Sequence, residues 1–497
     1  MEKKNCAVIG SGLGGLSAAI RLANRGIKVQ VFEKNSFPGG KVSQIMEKGF
    51  RFDTGASLLT MPFVLEELFT DAGEKSENYL KLKRLDINCK YFYPDGTILN
   101  AFSNRDKLIE EIISRTSEKK ENLIKLFKSS ESVYDLTADL FLFNSVFDSK
   151  IFRNKKSLKT VLRINQLDLF KSMHKSNSEL LQDKRIIQLF DRYATFNGSD
   201  PYCTPATLKV IQHVENGLGA WTCENGIYSI TEALCKLAIK MGVVFHFNKN
   251  VESILYKKGR VTGIKTGNET INSEILISNG DINFTYRELL RDKSSLPAKI
   301  YNRLEPSSSA IVFYWGVRGI HPALEIHNIL FSQDYKDEFN YIFQKKTVPD
   351  DPTIYIYISS KFNPNDAPGT SENWFVMTNA AYNNGQNWDK EIDKTRKCII
   401  QKINDMLGID ISTKIVFEKI MSPPDFESRT NSTKGSIYGI SSNSKFAAFF
   451  RHQNRSRKYK GLYFTGGSVH PGGGIPLVLL SGKITDRLIG RYELGKA

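Results

Sequence analysis

Between Cys6 and Glu33 the hydrophobic pattern changes period twice. An apolar run, CAVIG, gives way to the glycine-rich turn GSGLGG, then to LSAAIRLANRG with apolar residues at helical spacing, then to the alternating run IKVQVFE. This order predicts a strand, a tight turn, an amphipathic helix and a second strand, a βαβ unit closing on Glu33. Strand alternation returns in VVFHFNKNVESI (residues 243–254), and GRVTGIKT (259–266) and EILISNGD (274–281) read as a further strand pair. Helical spacing marks KLIEEIISR (107–115) and NLIKLFK (122–128), while SAIVFYWGV (309–317) and TIYIYI (353–358) have strand pattern. Near the end, LYFTGG (462–467) reads as a short strand delivering a loop, and LVLLSGK (477–483) starts a largely apolar helix.

The glycine turn carries chemistry. Gly10 permits the turn, Gly12 lets the backbone approach a pyrophosphate, and Gly15 lets helix and strand pack closely, with phosphates on the helix N-terminus. Glu33, 18 residues beyond Gly15, can accept hydrogen bonds from ribose hydroxyls. NAD, NADP and FAD all present an ADP half to such a unit, although a carboxylate at Glu33 disfavours a 2′-phosphate. Pro38, Gly39 and Gly40 follow directly, in KNSFPGGK, and let the chain pass near the pyrophosphate and flavin side where a side chain would collide.

At 497 residues the chain exceeds one ordinary hydrophobic core, so two interleaved domains are expected. Sixty-nine Lys plus Arg against 53 Asp plus Glu give a net charge of +16. The charge fits nucleic acid, an anionic membrane surface or solubility and does not decide between them; with zinc-finger spacing, an RNA-recognition motif and an aromatic-interleaved basic stripe all missing, a membrane surface is favoured over nucleic acid. The six cysteines (Cys6, Cys89, Cys203, Cys223, Cys235, Cys398) form no CxxC pair, and the seven histidines form no HExxH, so no metal is expected. The start, MEKKNCAVIG, enters a strand within five residues and has no secretory pattern, and no apolar run reaches spanning length. The expectation is a cytoplasmic protein, peripheral on the inner membrane face.

Taken together, GSGLGG (10–15), EKNSFPGGK (33–41), FDTG (52–55) and GGSVHPGGGIP (466–476) resemble bacterial carotenoid desaturases of the phytoene desaturase family. LFDRYATFNGSDPY (189–202), HVENGLGAW (213–221) and ENWFVMTN (372–379) extend the resemblance, and the first and last look closest to the branch acting at the 3,4 bond of hydroxylated carotenoids. Two departures, Cys223 and Asn225 in WTCENG and the GGSVHPGGG form of the terminal loop, bear on the substrate rather than the flavin. The resemblance implies an α/β fold: a Rossmann-like FAD-binding domain of glutathione-reductase type with an interleaved substrate domain of mixed sheet plus helical lid. The FAD-binding parts are 1–74, 213–289 and 441–497; 75–212 is a helical, membrane-facing insertion and 290–440 the sheet part. The cofactor set is Gly10, Gly12, Leu13, Gly14, Gly15, Glu33, Lys34, Gly39, Gly40, Lys41, Val251, Gly280, Asp281, Gly466, Gly467, Gly474, Ile475 and Pro476, with the Val251 backbone facing the adenine and the terminal loop against the isoalloxazine ring. Gly472 and Gly473 give that ring room, and the partial positive charge at the start of the last helix would stabilise its reduced, anionic form.

The implied activity is FAD-dependent desaturation of a carotenoid, C-3,4 on a 1-hydroxylated substrate such as 1′-hydroxy-γ-carotene, with oxygen or a quinone as electron acceptor. The alternatives are a phytoene or diapophytoene-type desaturase, a flavin amine oxidase, and a flavin-less prenyl-binding carrier. No catalytic residue is assigned: His213 and His470 read as structural groups and Asp191–Arg192 as an internal ion pair. Residues 140–170 mix aromatic and basic positions and read either as an interfacial amphipathic segment or as an ordinary surface helix with a buried face; the resemblance, with its membrane-dissolved substrates, favours the first.

Overall fold

The structure, a computed structural model, describes residues 4–145, 147, 168, 170–444 and 451–495. Five parallel strands form its first layer, in the spatial order Leu462–Phe464, Ile275–Ser278, Asn5–Ile9, Lys28–Phe32, Val244–His246. Strands Asn5–Ile9 and Ile275–Ser278 are near-continuous apolar runs because both faces of a parallel sheet are covered; Ile275–Ser278 is buried at every position. Helices Leu13–Asn24, Tyr228–Lys240 and Ile475–Glu493 cover one face. The first and last of these are tied by a Ser17 hydroxyl donating to the Leu479 carbonyl (2.8 Å) and a two-pronged Arg25–Asp486 pair at 2.6 and 2.7 Å. The two ends of the chain therefore share one core.

Parallel strands bring all their carboxyl ends to one edge, where ligands bind in open α/β sheets. That edge receives the turn after Ile9, Glu33 after Phe32, Asn279–Asp281 after Ser278 and Thr465–Gly467 after Phe464.

The segments 259–266 and 274–281 do not pair with each other. Arg260–Thr266 joins Ser253–Lys257 and Glu269–Asn272 in a separate antiparallel sheet, while Ile275–Ser278 enters the parallel one. The intervening strand, ETIN, is too short and polar to register as a strand from its pattern.

The second layer is a seven-stranded sheet ordered Ile415–Met421, Ser309–Arg318, Ser371–Ala380, Ile354–Ile358, His327–Leu330, Ile87–Phe92, Ile98–Phe102. Alternation along Ser309–Arg318 sends Ile311, Phe313 and Trp315 toward helix Trp388–Leu407 and Ala310, Val312 and Tyr314 to the opposite face. Its last two strands come from within 75–212, a stretch read as helical from sequence. They form a hairpin closed by Tyr93 N–H donating to the Thr97 carbonyl at 2.9 Å. Helices Arg105–Arg115, Lys120–Thr137, Met173–Leu180, Lys184–Asp191 and Val210–Asn216 make the lid over this layer. Most of the 140–170 amphipathic segment lies outside the described residues. Among the described residues no helix is long and apolar enough to cross a membrane.

Asp191 and Arg192 do not pair with one another. Asp191 meets His174 at 2.6 Å and accepts from Asn177 at 2.8 Å, while Arg192 donates to Tyr91 Oη at 2.7 Å and lies 3.4 Å from Glu215. Adjacent residues on a helix point about 100° apart, so such neighbours seldom meet.

Candidate functional site

Every residue of the predicted cofactor set except Gly15 lines one continuous cavity of about 610 Å³. Gly15 acts behind the wall: a Cβ there would fall 2.5 Å from the Gly10 carbonyl oxygen.

Glu33 is 5% exposed, and its carboxylate accepts from Ser11 N–H (2.9 Å) and hydroxyl (2.8 Å) and from Asn35 N–H (2.9 Å) and amide (2.8 Å). The Ser11 hydroxyl is a free rotor, so a ribose hydroxyl can take its place as donor. Next to it, Gly39 N–H donates to the Ser11 carbonyl at 3.0 Å, pinning the PGG loop to the glycine turn.

Asn279 joins both ends of the chain, and the sequence reading did not single it out. Its N–H donates to the Ile9 carbonyl (2.9 Å), its Oδ1 accepts from Thr465 (3.1 Å), and a Cβ on Gly14 would fall 2.9 Å from that oxygen and 2.8 Å from Gly466 N. Only a residue without a side chain fits at Gly14. Gly474 caps the last helix at φ +104, and its missing side chain would meet nothing within 4 Å: the position opens into the cavity. A floor of glycines ending at a helix N-terminus suits a flat ring joined to a diphosphate.

Two cations stand beside that floor. Lys41 donates to the carbonyls of Ser436 (3.1 Å) and Ile437 (2.5 Å), and burial pushes its pKa down to about 8, opposed by Asp281 and reinforced by Arg451. Arg451, 3% exposed, donates to the carbonyls of Tyr438 (2.9 Å) and Gly467 (2.7 Å) and to Asn197 Oδ1 (2.7 Å), and burial lowers its pKa to about 10. Among the described residues no carboxylate pairs with Arg451. A buried guanidinium held only by neutral oxygens is costly by itself and favours an anion nearby. The sequence reading missed it; the one signal is an arginine at the end of the apolar run FAAFF. Lys34 lines the cavity, and its ammonium donates to the Ser428 carbonyl (2.6 Å) and to Asn431 Oδ1 (2.8 Å), another lining residue.

Beyond the glycine floor the cavity is apolar, with Phe141, Leu142, Ile211 and Val214 from the lid facing Val312, Phe375 and Met377 from the sheet. Among the described residues the carboxylates lining it are Glu33 and Asp281 alone, both at the glycine end. Asp281 caps helix Ile282–Phe284 and accepts from Thr433 at 2.5 Å. His470 donates through Nε2 to the Asn144 carbonyl (2.7 Å), and burial drops its pKa to about 4, so it is neutral at pH 7. His213 packs against Tyr134 with ring centres 4.9 Å apart and planes tilted by 38°. No cluster of His, Cys, Asp or Glu among the described residues could hold a metal.

Residues 13–485 match the family of flavin containing amine oxidoreductases. The chain is 43% identical over 489 residues, 98% of its length and 99% of the relative's, to a 1-hydroxycarotenoid 3,4-desaturase from Flavobacterium sp. (strain P99-3). It is 31% identical over 492 residues, 98% and 97% of the two lengths, to a 4,4'-diaponeurosporene oxygenase from Staphylococcus haemolyticus (strain JCSC1435). In fold it is similar to an oxidoreductase from Methanosarcina mazei (TM-score 0.64, 15% identity, 96% and 99% covered). Putrescine oxidase bound to putrescine is a further fold neighbour (TM-score 0.63, 12% identity, 99% of each chain covered). A family match across most of the chain, over a cavity whose floor is built for a flavin dinucleotide, places this protein in the flavin-containing amine oxidoreductase family, as an FAD-dependent oxidoreductase.

Proposed function

We propose that this chain introduces the 3,4 double bond into a 1-hydroxylated carotenoid. The observation that carries the reading is the single cavity in which a glycine-lined dinucleotide cradle opens into an apolar slot without a free carboxylate. The Flavobacterium relative supports the substrate class.

Glu33 would hold the ribose of the adenosine half and the Val251 backbone its adenine. The turn at Gly12–Gly15 with Gly280 and Asp281 would hold the diphosphate, and Gly466, Gly467 and Gly474–Pro476 would hold the ring. Bound FAD supplies a two-electron acceptor for a hydride. The chain's own work is placement: the slot aligns the polyene along the glycine floor between its apolar walls. Desaturation takes a hydride from an allylic carbon and a proton from its neighbour. Charge spread along the polyene makes that proton acidic enough for water, so no side chain is assigned as base. Arg451 and the start of helix Ile475–Glu493 add positive charge where negative charge accumulates.

A greasy, membrane-dissolved substrate and a net charge of +16 support docking on the cytoplasmic membrane surface. The electrons then pass to oxygen or to a quinone.

The test is to purify the protein, check for a yellow colour that dithionite bleaches, and supply a 1-hydroxylated polyene, lycopene or phytoene separately. A red shift of the polyene spectrum and a loss of two mass units with the hydroxylated substrate are expected. A gain of oxygen by the polyene would instead favour the reading suggested by the staphylococcal relatives, named 4,4'-diaponeurosporene oxygenase.

A further inference from the structure

Three buried polar groups at the lid end of the cavity have an atom without a hydrogen-bond partner in the protein: Tyr335 Oη, Thr207 Oγ1 and Arg192 Nε. Each residue lines the cavity and is more than nine-tenths buried, at 5%, 7% and 8% exposure. Their surroundings are apolar: Phe196, Leu208, Ile211 and Ile329 share that wall. Leaving a buried donor or acceptor unpaired is unfavourable, and native structures hold few such groups. Three of them on the wall of one slot mark a place where a ligand makes the missing bonds.

We infer that this end is a subsite for a hydroxyl group on an otherwise apolar substrate, formed by Tyr335, Thr207 and Arg192. The inference rests on the reading under Proposed function and assigns residues to its substrate preference. The chemistry matches in kind. Arg192 Nε–H can only donate, whereas the two hydroxyls can donate or accept. An alcohol oxygen can accept from the guanidinium while its proton goes to one of the hydroxyls. A hydrocarbon end leaves all three unsatisfied, and such a site rejects the analogue lacking the oxygen.

The subsite is rigid. Arg192 is fixed through Tyr91 and lies over the rings of Tyr91, Tyr193 and Phe196 at 5.4, 4.8 and 5.1 Å. Tyr335 packs edge-on against Phe331 and Phe339, with ring centres 5.9 and 5.0 Å apart. It is also connected to the glycine end. Arg192 begins the short 3-10 helix Arg192–Asn197, whose last residue accepts from Arg451.

The test uses the full-length, flavin-loaded protein and the variants Y335F and T207V, which remove only an oxygen that has no protein partner. Both variants should keep the melting temperature of the parent, because no hydrogen bond within the fold is lost. Binding is read from the shift in polyene absorption on titration with a 1-hydroxylated polyene and with its hydrocarbon counterpart. The parent should prefer the hydroxylated chain about tenfold, and each variant should reduce that preference to within about threefold by weakening binding of the alcohol alone. An unchanged preference in both variants, or a parent that desaturates both polyenes equally, overturns the subsite while leaving desaturation intact. A parent that desaturates neither polyene overturns the proposed function instead.

Discussion

At the glycine end of the cavity Ser11 and both carboxylate oxygens of Glu33 are hydrogen-bonded and Asn279 Oδ1 accepts from Thr465, whereas at the lid end Tyr335, Thr207 and Arg192 each keep one atom unpaired. Hydrogen bonds within the chain preset the glycine end: Glu33 holds the turn through Ser11 and the next loop through Asn35. The lid end is preset by ring packing, leaving its polar valences for a ligand. The difference teaches where each end draws its specificity. One is a glycine-lined backbone surface with a fixed carboxylate at Glu33; the other is a greasy channel with unpaired polar atoms on its wall.

The sharpest way to break the comparison is at Gly14. Gly14→Val drives side-chain atoms into Gly466 N and Asn279, so the two chain ends can no longer close on each other. The purified variant should be colourless, with the flavin-to-protein absorbance ratio reduced at least about tenfold; a yellow G14V protein would refute the placement of the cradle. Glu33→Gln keeps the shape but turns an acceptor into a donor facing the donors of Ser11 or Asn35. Unfolding of the flavin-free variant in urea should show a loss of about 1–3 kcal/mol, with weaker retention of FAD.

Arg451→Gln sharpens the comparison from the electrostatic side. On the proposed placement of the ring, removing this buried positive charge would destabilise the reduced, anionic form, so the reduction potential should fall by about 30 mV, the equivalent of about 1.4 kcal/mol for a two-electron couple. Redox titration against a reference dye measures it; a potential that stays put would assign Arg451 to loop architecture alone.

The histidines give a pH signature. Burial lowers His452 and His470 from the ordinary 6.5 to about 4. The folded state therefore resists a proton that the unfolded state takes up, so their contribution is full above pH 6.5 and is lost as the pH falls toward 4. Melting temperatures should decline through that window, and His452→Gln should flatten the decline. The smallest effect belongs to Lys34→Ala. Its ammonium binds Ser428 and Asn431 at the edge of the site, and urea unfolding of the flavin-free variant should show at most about 1 kcal/mol of destabilisation.

The glycine positions were legible because the constraint is local: a backbone that must approach a diphosphate or adopt positive φ excludes side chains wherever it occurs. Glu33 was legible because an acid at the end of the second strand has a fixed place in a βαβ unit. Asn279 and Arg451 were not, since asparagine and arginine are common surface residues and only their burial among distant loops gives them a role. The hairpin Ile87–Phe92 and Ile98–Phe102 escaped notice because its partner strand, His327–Leu330, lies more than two hundred residues away. Alternation by itself does not say which sheet a strand will join.

Read alone, then, the chain specified the βαβ unit, the glycine-lined loops at both termini and the apolar character of what lies between them, because each follows from residue type and short-range periodicity. Tertiary structure decided which loops meet, that Asp191 and Arg192 part to different partners, and that residues 192, 207 and 335 face one slot. Those outcomes depend on the packing of segments far apart in sequence, where burial and partner choice are settled by the whole core.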